Sequence, residues 1–212
     1  MNKQETIAFI EHHKAVAVMR FSDSDLFDPL AEAIFNGGIQ IIEITMTVPD
    51  ALSIIEKVTA GNLGDRLVGV GSVLDAKSAR QAIKAGAQFI VSPVLKKEII
   101  MEAQSADVPV MPGAFTPTEV QTAWEWGADI VKIFPANILG MDFFKGVKAP
   151  MPHLKLMPTG GVSLTNARDW INSGACAVGI GSALFDKEAI KKRDFDQIRE
   201  NAEALVSNLS EE

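Results

Sequence analysis

Residues 126–135, WGADIVKIFP, hold the pattern from which the rest of the chain can be read. A glycine ends a helix, a small or polar link follows, and β-branched and aromatic residues then make a strand buried on both faces. Pro135 closes the run because it has no N–H to give a ladder. The same cadence returns in NGGIQIIEIT (36–45), AGAQFIVSP (85–93) and SGACAVGIG (173–181).

Working outward, strands are expected over 15–19, 39–45, 67–70, 89–92, 108–111, 130–134, 154–157 and 177–180. Helices are expected between them over 25–36, 51–60, 76–85, 96–105, 117–126, 141–148 and 165–173. Ser22 or Ser24 is expected to cap the first of these. A short amphipathic helix over 4–13 precedes the first strand, and another near 195–209 closes the chain. Strand–helix units of about 20–25 residues, eight times over, predict an α/β chain: a parallel (β/α)8 TIM barrel with an extra N-terminal helix, one domain over 1–212. An open doubly wound sheet is the alternative, but the G-x-G-x-x-G turn it usually carries is missing.

The bulk numbers narrow the function classes. A chain of 212 residues with 47% hydrophobic and 22% charged residues is an ordinary globular sequence able to bury one sizeable core. Its net charge of −7 offers no basic face to nucleic acid or an anionic membrane, so neither is an expected partner. The one cysteine, Cys176, rules out an internal disulfide and suits a reducing cytoplasm. Set in an apolar run, it reads as a core residue and not a nucleophile. The polar N-terminus and the lack of a long uncharged apolar stretch predict a soluble protein.

Lys132 is the unusual residue of the opening stretch. An ammonium inside a buried strand is costly, because burial without a partner disfavours the charged form. A neutral amine there would be a nucleophile fit for imine chemistry. A lysine that snorkels to the strand end, or pairs with a carboxylate, fits the segment as well. Glu43 tips the balance. It sits in IIEIT as Lys132 sits in IVKIF, and alternation puts Glu43 with Ile41 and Thr45, and Lys132 with Ile130 and Phe134. A buried ion pair adds little net stability, so two such charges facing one interior favour a functional role.

The C-terminal strand ends, where barrel enzymes place their sites, form a polar and glycine-rich collar. It contains Arg20; Glu43, Thr45 and Thr47; Gly71 and Ser72; Ser92 and Pro93; Pro112 and Gly113; Lys132; Pro158 to Gly161; and Gly179 to Ser182. PTGGVSLTN (158–166) and VGIGSAL (178–184) occupy the loops after strands seven and eight, the recurring barrel position for a phosphate. Each alone also reads as an ordinary strand-to-helix turn; both at once favour an anion held by Gly160, Gly161, Gly181 and Ser182. His12, His13 and His153 lie away from the collar. No His, Cys and carboxylate cluster has ligand spacing, so no metal is expected.

Taken together, VAVMR, GGIQIIEITM, VGVGSVLD, AGAQFIVSP, MPGAFTPTE, VKIFPAN, MPTGGVSLTN and GIGSALF resemble the bacterial 2-keto-3-deoxy-6-phosphogluconate (KDPG) and 4-hydroxy-2-oxoglutarate aldolases. The likeness covers nearly the whole chain and implies a class I aldolase on a (β/α)8 barrel, commonly a homotrimer, with no cofactor beyond an imine to lysine. It makes Lys132 the Schiff-base lysine and Glu43 the acid/base. Gly160, Gly161 and Ser182 would hold phosphate, with Ser72 and Thr159 near the pyruvyl end of a keto-acid or sugar-acid phosphate. Thr45, Thr47, Pro93 and Phe134 complete the expected substrate contacts. One position departs: that family often has an arginine where Thr47 stands, and the arginine grips the substrate carboxylate. Arg20 could supply the missing guanidinium, as in the similar 2-keto-3-deoxy-6-phosphogalactonate aldolases. A sugar-phosphate isomerase or decarboxylase, and a barrel that only binds keto acids, are the rival readings.

Overall fold

The computed structural model describes residues 1–210. All its strand pairs are parallel. β1 (Ala15–Met19), β2 (Ile41–Thr45), β3 (Leu67–Gly71), β4 (Ile90–Val91), β5 (Val110–Met111) and β9 (Val178–Ile180) form one sheet. Its order is β5-β4-β3-β2-β1-β9. β6 (Gly113–Ala114), β7 (Val131–Ile133) and β8 (Leu156–Pro158) form a second, in the order β6-β7-β8.

The strand expected over 108–111 is shorter, Val110–Met111, and a further strand, β6, follows at Gly113. Pro112 separates β5 from β6 and has no N–H to donate, so the ladder breaks there; its carbonyl still accepts from the Lys132 N–H at 2.9 Å. The sheets meet again where Thr159, just after β8, bridges Gly179 of β9 in parallel.

Helices follow the strands as the repeat predicts. The helix-ending glycines of the four quoted repeats, Gly38, Gly86, Gly127 and Gly174, have φ of 94°, 94°, 91° and 106°. A side chain there would be strained, which explains the recurring residue type. The expected serine cap is corrected: Asp23 accepts from the Asp25 N–H, and a 3-10 turn over Ser24–Leu26 precedes the helix Phe27–Asn36. Two helices absent from the expected set are present, a single turn over Ala136–Leu139 and Lys187–Lys192. The helix expected over 165–173 is shorter, Ala167–Asn172, because Asn166 turns its side chain to Ser163 N–H and the Gly161 carbonyl.

Both strand faces are buried, and each builds its own core. Outward residues such as Met19, Ile42, Ile44, Val70 and Val131 pack with Leu30, Ile34 and Ile55 of the helices. The inner face gathers Val16, Ile41, Leu67, Phe89, Met111, Ile130, Met157 and Ala177 from both sheets and their flanks. Ile10 of α1 (Lys3–His13) joins this inner cluster from the N-terminal ends of the strands and is fully buried. Ion pairs Lys3–Asp129 at 3.1 Å and Glu11–Lys155 at 3.0 Å fasten the helix there. No helix among the described residues is long and apolar enough to cross a membrane.

Candidate active site

The same strands that bury Ile41 and Ile130 carry charge one step further along. Lys132 is central in β7, between Val131 and Ile133, whose side chains face the helices. Its own side chain must therefore take the inner face. Glu43 is central in β2 and follows Ile41 by two residues. The two side chains are 6% and 1% exposed, and Lys132 Nζ lies 3.9 Å from Glu43 Oε1. They are the only charged residues in the buried set of the described chain. Gly71 makes the room: a Cβ there would fall 1.8 Å from Glu43 Oε1.

The separation of 3.9 Å is an ion pair without a hydrogen bond. Both Glu43 oxygens are buried and have no hydrogen-bond partner among the described residues, and the Thr159 hydroxyl is in the same condition. Leaving such groups unpaired costs on the order of 1–3 kcal/mol each. Their lone pairs are left for something that is not the protein. Lys132 Nζ also sits 5.2 Å from the centre of the Phe134 ring.

Beside this pair opens a cleft of about 630 Å³. It brings together seven predicted site residues: Arg20, Phe134, Thr159, Gly160, Gly161, Gly181 and Ser182. Gly160 and Gly161 have φ of 95° and 77°, and a Cβ on Gly161 would meet Asn137 Cβ at 2.7 Å. The main-chain N–H groups of Gly160, Gly161, Val162, Ser182 and Ala183 have no acceptor among the described residues. Gly160, Gly161, Val162 and Ser182 also line the cleft, so two loops bring unspent donors to its wall, the chemistry an anion requires.

The remaining predicted residues sit elsewhere around the collar. Arg20 Nη2 donates to Ser72 Oγ at 3.3 Å, and Ser72 has a φ of 58°. Thr45 Oγ1 donates to the Met19 carbonyl at 3.0 Å, and lies 2.8 Å from Thr47 Oγ1. A hydroxyl has one hydrogen, so Thr47 is the donor of the second bond and Thr45 its acceptor. Neither threonine keeps a hydrogen for a carboxylate; the two tie the ends of β1 and β2. Pro93 is outside the cleft and packs closely on Gly113.

The sequence reading stopped at Ser182 and missed Val18, Val162, Phe185, Asp186, Lys187 and Ile190 of the cleft wall. The signal was available: Asp186 before KEAIKK is an N-cap, and it accepts from the Glu188 and Ala189 N–H groups. Cys176 is no rival nucleophile, since burial pushes its thiol up to about 12. His153 packs edge-on against Trp124, with ring centres 5.4 Å apart.

Among known proteins, the chain is 33% identical over 199 residues to the 2-dehydro-3-deoxy-phosphogluconate aldolase of Haemophilus influenzae, covering 92% of each chain. A KDPG aldolase of Legionella pneumophila, solved with pyruvate captured at low pH as a covalent carbinolamine, superposes with a TM-score of 0.86 at 29% identity. That match covers 94% of this chain and 97% of the other. A native KDPGal structure matches at TM-score 0.84 and 29% identity, over 92% and 93% of the two chains. These relatives are aldolases, so the chain is a carbon–carbon lyase. The family model described as KDPG and KHG aldolase spans residues 7–201, and the chain belongs to that family.

Proposed function

We propose that the protein is a class I aldolase that cleaves KDPG to pyruvate and glyceraldehyde 3-phosphate, 4-hydroxy-2-oxoglutarate to pyruvate and glyoxylate, or both. The observation that carries this reading is the buried pair, Lys132 Nζ 3.9 Å from a glutamate with no other partner among the described residues. The neutral amine of Lys132 attacks the C2 ketone, forming a carbinolamine that loses water to an iminium. Glu43 takes the C4 hydroxyl proton, directly or through a water. The C3–C4 bond breaks, its electron pair passes into the iminium to leave an enamine, and the aldehyde departs. Protonation of the enamine at C3 and hydrolysis release pyruvate and restore the lysine. The unspent donors of the Gly160–Gly161 and Ser182 loops suit the distal anion.

Borohydride reduction in the presence of pyruvate tests the chemistry. A stable adduct on the Lys132 peptide is expected; an isomerase, a decarboxylase or a passive binder gives none, and no mass gain ends the proposal.

A second substrate, 2-keto-3-deoxy-6-phosphogalactonate, is favoured by the collar itself. Thr47 is spent on Thr45, while Arg20 lines the cleft and leans on Ser72. Arg20 is then the grip on the substrate carboxylate. Kinetics on both epimers and on 4-hydroxy-2-oxoglutarate decide it, and an unchanged KM in Arg20→Ala removes Arg20 from the role.

The same reading includes a closed eight-stranded barrel in one domain over 1–212. It is supported by the single-residue joint at Pro112, the Thr159–Gly179 bridge and an inner cluster drawn from both sheets. It also includes the homotrimer, supported by exposed Leu74, Val94, Phe115 and Ile138 just past the C-terminal ends of β3, β4, β6 and β7. A monomer mass by sedimentation removes the trimer.

A further inference from the structure

Lys187 begins the helix Lys187–Lys192 and lines the cleft shared by Gly160, Gly161 and Ser182. Its ammonium makes no ion pair among the described residues. The other cation in the cleft wall, Arg20, is engaged with Ser72. Asp186 shares the wall, but its Oδ1 accepts from the N–H groups of Glu188 at 3.0 Å and Ala189 at 2.9 Å. That carboxylate caps its own helix. Arg193, just past the helix, reaches Asp23 at 3.8 Å and ties this segment to the loop after β1. An exposed, unpaired lysine on a tethered helix therefore lines a cleft whose glycine-loop donors are uncharged and whose other cation, Arg20, is given to the substrate carboxylate.

Charge separates two kinds of ligand here. Main-chain N–H groups and a serine hydroxyl are neutral donors and take a carboxylate or a phosphate alike. A cation gains more from a phosphate near its dianionic state than from a single carboxylate charge. The chain's net charge of −7 makes a local cation more necessary, because the overall field opposes an anionic ligand.

We propose that Lys187 is a specificity-determining residue. It supplies the charge by which the cleft prefers 2-keto acids ending in a phosphate over those ending in a carboxylate. The inference rests on the aldolase reading of Lys132 and Glu43.

The test compares kcat/KM for KDPG with that for 4-hydroxy-2-oxoglutarate in the wild type, Lys187→Gln and Lys187→Arg. An exposed charge-assisted contact predicts a ratio lowered about tenfold in Lys187→Gln, carried by KM on the phosphorylated substrate and restored by Lys187→Arg. The ratio should also lose much of its salt dependence in Lys187→Gln, because the screened charge is gone. A Lys187→Gln ratio within about twofold of the wild type overturns the inference, since a charge that sets the preference must move the ratio by more than that. Borohydride trapping of pyruvate on the wild type reads the foundation separately. No adduct overturns the aldolase itself, whereas an adduct with an unmoved ratio overturns Lys187 alone.

Discussion

The inner face of the strands has two layers with opposite designs. Near the N-terminal ends, Val16, Ile41, Leu67, Phe89 and Ile130 interlock, and Ile10 seals them. A few residues further along the strands, Glu43, Lys132 and Thr159 are buried too, yet Glu43 and Thr159 carry polar atoms with no partner among the described residues. Glycine serves both layers. Gly69 leaves space for the Phe89 ring, whose atoms would lie 2.5 Å from a Cβ there, and Gly71 leaves space for Glu43. In the first case the space is filled by apolar packing; in the second it admits a charge. The comparison shows where the molecule gains stability and where it gives some up to bury polar groups.

The sharpest break of that division is Lys132→Ala. It should lower turnover at least about a thousandfold, because the covalent step loses the one buried amine beside Glu43, while circular dichroism stays native. Near-normal turnover would remove Lys132 from the chemistry and make the upper pair a structural one. Gly71→Ala comes next, since its methyl group must displace the Glu43 carboxylate. It should cut kcat about a hundredfold, the scale of a misplaced catalytic group, with a stability loss of about 1–3 kcal/mol. An unchanged kcat would show that the position of Glu43 is not critical.

Phe89→Ala tests the lower layer. Melting should fall by roughly 10 °C, for a loss of about 3–5 kcal/mol, whereas kcat of the folded enzyme at low temperature stays within about twofold. A collapse of kcat with little change in melting would invert the two layers. The smallest effect is at Cys176, which packs against the lower cluster. With burial holding the thiol near 12, the thiolate is scarce until the pH approaches that value. Alkylation of the folded protein at pH 8 should be negligible and become complete on unfolding; rapid labelling of the native state would mean that this layer opens.

Much of this was legible in the residues. Parity put Glu43 with Ile41, and Lys132 with Ile130, and the inner cluster holds both isoleucines. The glycine pairs announced a donor-rich cleft. The failures were local competitions. Asp23 outcompetes two neighbouring serines as a cap, and Asn166 diverts a helix start into a turn. Pro112 hid the short strand Gly113–Ala114 that follows it, and Lys187–Lys192 was hidden by its charge, which masks the apolar pair Ala189 and Ile190. The paired threonines were invisible too, because a hydrogen-bond direction depends on which neighbours are within reach.

The residues by themselves determined the alternation of strand and helix, the glycine that ends each quoted helix, and the face on which each charge lies. These follow from backbone sterics and the two-residue repeat of a strand, which act over a few neighbouring positions. Only the tertiary structure decided that Lys132 and Glu43 stand 3.9 Å apart, that Thr47 is occupied by Thr45, and that a lysine from a late helix lines the same cleft as the glycine loops. Those distances are set by strand register and by the packing of every element between the partners, and no short stretch of chain contains them.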